Sequence, residues 1–270
     1  MTNTIAISII TPCYNHGKYL LEAVHSIREY NWSVPIEHII VNDGSIDEET
    51  IHVLEVIKQQ GGIVIEQKNA GPSTARNTGI KASTGKYILP VDSDNTIIPT
   101  VFEMAYHIME SDSTISVVYT DAQYIGEKSG TWKVGELNKL RLLNRNQVDN
   151  CALIRRDDLI QLGGYDEGMP FKGNEDWELW LKMLFNDKKF YYLEEVGYNY
   201  RVLHNSLSNT ESGPNHVVNK RYLVNKYQPY YATYAIQALE KVLQYEKKQK
   251  HIQENKLKSI LKILLNKPVL

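Results

Sequence analysis

The chain is short of cysteine, of net charge and of long apolar runs. Its 270 residues include only Cys13 and Cys151. No metal-ligand spacing links them, so a cysteine-based metal centre has no support, and a reduced compartment is the simplest reading. A formal net charge of -2 and a pI near 6.5 give no basis for nucleic-acid binding. Met1-Thr2-Asn3-Thr4 is not a basic stretch leading into an apolar core, so no signal peptide is evident. No apolar run reaches the length of a membrane span. Internal repeats and low-complexity segments are missing too. A cytoplasmic location and soluble precursors are expected, with contact at the inner face of a membrane as a further option.

What is present reads as a globular chain, with 42% apolar and 23% charged residues. Short apolar runs at Ile5–Ile10, Ile36–Val41, Ile63–Ile65 and Lys86–Val91 read as buried strands. Helical spacing separates them, at Tyr19, Leu20, Ala23, Val24 and Ile27, at Ile51, Leu54 and Ile57, and from Ala75 to Ile80. Strands alternating with helices predict right-handed crossovers and a mostly parallel sheet. Further on, Pro99 opens a helix, Ile115–Tyr119 and Cys151–Ile154 read as strands, and 126–135 as a polar surface loop. Glu175–Phe185 reads as a helix, followed by short strands at Phe190–Leu193 and Gly197–Tyr200. Beyond about residue 213 the pattern is helical.

The run ending at Val91 meets Asp92-Ser93-Asp94-Asn95 at once. On extended backbone, residues i and i+2 point the same way, so Asp92 and Asp94 can face one hard cation. An acidic turn capping the next helix is the plainer alternative. Other polar loops fall at strand ends on the same side: Thr11 to Asn15, Asp43-Gly44-Ser45, the segment with Arg76 and Asn77, and Glu175-Asp176. In an open α/β sheet these ends share one rim, where ligands bind. That rim offers a carboxylate for a base N–H, a cation for phosphate and an acidic pair for a metal, which together suit a nucleoside diphosphate.

The series Thr11-Pro12-Cys13-Tyr14-Asn15, Val41-Asn42-Asp43-Gly44-Ser45, Asn69-Ala70-Gly71-Pro72-Ser73-Thr74-Ala75-Arg76-Asn77, then Asp92-Ser93-Asp94, resembles glycosyltransferase family 2. Gly163-Gly164-Tyr165-Asp166-Glu167, Glu175-Asp176-Trp177 and Tyr200-Arg201-Val202-Leu203-His204 extend the likeness, which covers roughly Ile5 to Ser208. It implies a GT-A fold, a Rossmann-like α/β sheet flanked by helices. It also implies inverting transfer of a hexose or N-acetylhexosamine from a UDP-sugar, with Mn2+ or Mg2+ as cofactor. The acceptor would be a hydroxyl of a glycan, glycolipid or glycoprotein. Thr11, Pro12, Tyr14, Asn15, Asp43, Gly44, Ser45, Arg76, Asn77, Asp92 and Ser93 would then bind the nucleotide-sugar. Asp94 and Asp92, with His204 as a third ligand, would hold the metal. Asp176 would be the general base, with Glu175 its near rival. His204 sits one residue later than in the Arg-x-His of many family members.

The expected organisation is a nucleotide-sugar half at 1–110, an acceptor and catalytic half at 111–212, and a helical extension at 213–270. The acceptor side is expected near Arg155, Tyr165 and Phe171. A sugar nucleotidyltransferase would show a Gly-rich phosphate loop after the first strand, which Thr11 to Gly17 lacks. A carbohydrate-binding module would leave the acidic pair, Arg76 and Asp176 without a role. In the tail, Tyr222, Tyr227, Tyr230, Tyr231 and Tyr234 crowd one segment, and Leu257, Ile260, Leu261, Leu264 and Leu265 form a helical stripe. Both predict a homo-oligomer through these helices. Folding back onto the catalytic domain and docking on a membrane are the alternatives.

Overall fold

The computed structural model describes residues 4–203, 214–254, 256 and 260. The chain divides into two compact units, 1–222 and 223–270. In the first, β1 (Ile7–Cys13) lies between β2 (Ile36–Asn42) and β4 (Tyr87–Pro90), parallel to both, and β3 (Ile63–Glu66) extends β2 in parallel. Helices α1 (Gly17–Arg28), α2 (Glu48–Gln59) and α3 (Pro72–Ala82) make the crossovers. Because helices cover the sheet, β1 is buried along nearly its whole length rather than on alternate residues. The Asp47 carboxylate caps α2 by accepting from Thr50 N at 2.8 Å, and Pro72 opens α3 directly after Gly71.

The sheet continues through β8 (Leu153–Arg155), antiparallel to β4, and then β6 (Ile115–Gly126), antiparallel to β8. Next comes β9 (Lys189–Val202), parallel to β6, and β5 (Thr96–Ile97), antiparallel to β9. Among the described residues the order is β3-β2-β1-β4-β8-β6-β9-β5, with β7 (Gly130–Trp132) paired to β6. Four further helices lie wholly in this unit: α4 (Pro99–Ser111), α5 (Lys139–Asn144), α6 (Arg156–Gln161) and α7 (Glu175–Phe185). The main core gathers Ile7, Ile9, Leu89, Phe102, Val118 and Leu153 between sheet and helices.

Two expectations need correction. Residues 126–135 are not an irregular loop. They begin with the end of β6, turn, and return as β7, with Gly126 and Gly130 at positive φ of 83° and 101° on either side of the turn. The two short strands expected at 190–200 are one strand, β9, whose register shifts where Leu193 faces Thr120 and Val196 faces Asp121. Helix α5 and strand β5 were not anticipated.

The remaining helices are α8 (Pro214–Lys226), which carries the boundary between the units, and α9 (Gln228–Glu254). On α9, Ile236, Leu239, Val242 and Leu243 are each more than half exposed. Most of the leucine stripe expected further on lies outside the described residues. No described helix is long and apolar enough to cross a membrane.

Candidate active site

The ends of β1, β2 and β4 open, together with the starts of α3 and α7, into a cleft of about 710 Å³. It brings together Pro12, Tyr14, Asp43, Arg76, Asp92, Ser93, Asp94, Glu175 and Asp176. Residues from five separate stretches of sequence therefore meet at one rim, as parallel strand ends require.

Arg76 ties two of those stretches together. Its side chain is buried on α3; Nη2 donates to Asp92 Oδ1 at 2.6 Å and Nη1 donates to Glu175 Oε1 at 2.9 Å. The guanidinium lies over the Tyr165 ring, 5.3 Å from its centre. Burial opposes the arginine's charge, but the Asp92 and Glu175 carboxylates outweigh it and raise its pKa further. Tyr165 OH donates to Asn150 Oδ1 at 2.6 Å, so the ring under Arg76 is itself held.

The carboxylates crowd one another. Burial, reinforced by the charge of Asp92, pushes Asp94 up to about 6 and Asp149 up to about 7. Asp176, in the first turn of α7, is pushed well above the usual carboxylate range by burial, then by Glu175 and Asp149. Asn146 Nδ2 donates to Asp176 Oδ2 at 2.7 Å and fixes its orientation. Asp92 and Asp94 offer only oxygen donors and repel each other, which suits a hard divalent cation. Among the described residues no cluster of three or more His, Cys, Asp or Glu side chains is arranged to hold a metal. An ion on this pair would therefore take further oxygens from phosphate or water, as magnesium sites commonly do.

Five of the expected binding residues do not line the cleft. Thr11 is buried, with Oγ1 2.9 Å from His38 Nε2 in the core. Asn15, at φ 53°, accepts from Ile46 N and Asp47 N through Oδ1, while its own N–H donates to Ser45 Oγ. Asn15 and Ser45 thus bind the first loop to the second. Gly44, at φ 71°, leaves room for Asn69 N, which would lie 2.7 Å from any Cβ. Asn77 donates to Tyr165 O and Glu167 Oε1 and accepts from Tyr165 N, holding the Gly163–Glu167 turn. These residues shape the loops behind the residues that line the cleft. His204 lies outside the described residues. Arg155 does not reach the cleft either: Nη2 donates to Ile115 O at 2.9 Å, within the sheet.

The cleft also contains residues for which no role was expected. His16 stands at the start of α1, Nδ1 3.1 Å from Ser93 Oγ. Asp149, Asn146, Arg141 and Arg145 come from α5 and the segment after it, and Tyr124, Lys128, Trp132 and Tyr200 from the corrected hairpin and β9. Helix α5 carried only a short signal, the N-cap Asn138, whose Oδ1 accepts from Arg141 N at 3.0 Å, ahead of the buried Leu142 and Leu143. The hairpin did: Ala122-Gln123-Tyr124 and Thr131-Trp132 alternate as a half-buried strand pair should.

Comparison with known proteins agrees with this geometry. The uncharacterized glycosyltransferase YibD of Escherichia coli K12 is 29% identical over 223 residues, covering 76% of this chain and 64% of its own length. The minor teichoic acid biosynthesis protein GgaB of Bacillus subtilis is 27% identical over 208 residues, 72% of this chain but 23% of GgaB. Among solved structures, S. aureus TarS 1–349 in complex with UDP-GlcNAc superimposes with a TM-score of 0.63 at 20% identity, over 76% of this chain and 61% of that one. The fold is thus of GT-A type, and the chain spans less than two thirds of these proteins. Residues 8–163 match the family described as Glycosyl transferase family 2, more than half of the sequence, and the chain belongs to that family.

Proposed function

We propose that this cleft transfers a hexose or N-acetylhexosamine from a UDP-sugar to a glycan hydroxyl, with inversion at the anomeric carbon. The observation that carries the reading is the arrangement of Asp92 and Asp94, braced by Arg76, in the same cleft as the oriented carboxylate of Asp176. At the nucleotide end, Asp43 Oδ1 accepts from Gln67 Nε2 and Ala70 N, while among the described residues Oδ2 accepts from Gly71 N alone. A carboxylate oxygen has two lone pairs, so Oδ2 can take a uracil N–H as well. Tyr14 is 41% exposed beside Pro12 and offers a ring face to the base. That TarS is solved with UDP and with UDP-GlcNAc supports a uridine carrier.

Asp92 and Asp94 would hold Mn2+ or Mg2+, with His204 as a further ligand. Such an ion supplies neutralising charge to the departing diphosphate. Asp176 takes the proton of the acceptor hydroxyl as that oxygen attacks the anomeric carbon, and the bond from that carbon to the diphosphate breaks. A single displacement from the opposite face inverts the centre. Glu175 is committed to Arg76, so its role is to position the arginine rather than to take a proton. We also infer self-association through α9, where Ile236, Leu239 and Leu243 share one stripe.

Calorimetry with UDP and Mn2+ tests the donor site. The native protein should bind UDP more tightly with the ion than without it, and Asp94→Ala should lose that difference. Undiminished ion-dependent affinity in the variant would contradict the assignment.

A further inference from the structure

We propose that Tyr124, Trp132 and Tyr200 form a floor for a sugar ring of the acceptor, so that the acceptor is a saccharide rather than a polyol or a peptide hydroxyl. This rests on the transfer reading above.

Sheet register places the rings together. Trp132 faces Ala122 across the hairpin, and Tyr124 faces Tyr200 across the parallel pair of β6 and β9. Since Ala122 and Tyr124 are two residues apart, all of these side chains share one face. Tyr124 and Trp132 lie parallel within 4°, centres 6.0 Å apart, and Tyr200 stands edge-on to both at 6.0 and 5.8 Å. Trp132 and Tyr200 rest on the main core beneath them, are half-buried, and line the cleft. Lys128 Nζ sits 3.7 Å from the centre of the Tyr124 ring.

The position argues for the acceptor. In the sheet, β4 and β8 separate β1, which carries Pro12, from β6. At about 4.8 Å per strand this is roughly 14 Å, so the floor lies away from the nucleobase end. Tyr200 directly precedes Arg201, whose Nε donates to Asp94 O at 2.9 Å, so the floor runs up to the acidic pair. The chemistry argues for a sugar. One face of a pyranose presents C–H bonds, slightly positive, which suit the negative face of an aromatic ring. Its hydroxyls project from the ring edge, where exposed Arg141 and Arg145 offer donors. A flexible polyol or a serine side chain has no such flat apolar face.

The test uses the full chain, native and as Trp132→Ala and Trp132→Tyr. UDP release from UDP-sugars is measured without acceptor, with methyl glycosides of hexoses and N-acetylhexosamines, and with glycerol phosphate and ribitol. We expect at least one glycoside to stimulate release. Trp132→Ala should raise its KM about tenfold or more, as loss of a stacking ring does elsewhere. The KM for the UDP-sugar should change far less than the KM for the glycoside, and Trp132→Tyr should keep most of the native affinity for the glycoside. An unchanged glycoside KM in Trp132→Ala, an equal rise in the UDP-sugar KM, or stimulation by polyols alone would overturn the proposal. Absence of any UDP release from the native protein would overturn the transfer reading instead. Quenching of Trp132 fluorescence by the glycosides, lost in Trp132→Ala, would then still uphold the floor, and its absence would reject it.

Discussion

On the wall made by β1, β2 and β4, the charged groups are tied down before a ligand arrives. Arg76 is fixed by Asp92 and Glu175, and Asp43 by Gln67, Ala70 and Gly71. The wall made by the β6–β7 hairpin, β9 and the α5 segment differs. It presents half-buried rings together with exposed Arg141, Arg145 and Lys128. On the proposed function, the first wall would meet a partner whose shape is constant, the nucleoside diphosphate. The second offers stacking area and long cationic side chains, which can be exchanged on the same frame to suit another acceptor.

This contrast also explains what could be read from the sequence. Asp92, Asp94, Arg76 and Asp176 are legible because each sits at the end of a strongly patterned strand or the start of a helix. Thr11 and Asn77 were read as loop residues but lie on β1 and α3, and their roles, like that of Asn15, were hidden because their partners His38, Tyr165 and Ile46 are distant in sequence. Asp149 carries no local signal; only folding brings it under the charge of Asp92. The hairpin was misread because the glycines and charges of Gly126 to Gly130 drew attention from the alternation on either side.

The largest effect is expected at Asp176, which both walls meet. Asp176→Asn should lower transfer by about 10²–10⁴-fold while leaving UDP affinity intact, as loss of a general base does. In the native protein, transfer should rise with pH as Asp176 loses its proton, and the variant should lose that rise. Steady-state rates over pH 5 to about 9, on the usual range for such profiles, check both.

Next comes the rigidity of the first wall. Arg76→Ala leaves Asp92 and Glu175 without their buried cation, and breaking such pairs costs about 3–5 kcal/mol. Arg76→Lys should recover little of it, since one ammonium cannot reproduce the two-pronged geometry. Urea unfolding measures the loss. A cost no larger than that of a surface substitution would mean that the wall is not prestressed by this network.

A smaller effect should appear at Asp149. Its pKa is raised to about 7 in the folded chain, against about 3.9 for a free aspartate. The folded state therefore holds this proton more tightly than the unfolded state. Its contribution to stability is complete below about pH 4 and is lost as pH rises towards 7. Asp149→Asn should remove that part of the slope, so thermal melts of native and variant should diverge most at alkaline pH, with the variant the more stable.

The second unit should matter least to chemistry. Charged substitutions at Ile236 and Leu243 on α9 should lower the mass seen by light scattering and leave UDP release unchanged. A native protein already monomeric at working concentration would rule out association through this stripe.

The most direct test of transfer is UDP release from a panel of UDP-sugars in the presence of Mn2+, by the native protein and by Asp176→Asn. Release should favour one UDP-hexose or UDP-N-acetylhexosamine above the others. A saccharide acceptor should stimulate it, and Asp176→Asn should abolish that stimulation. Equal stimulated release by the variant, or pyrophosphate in place of UDP as product, would contradict the transfer reading.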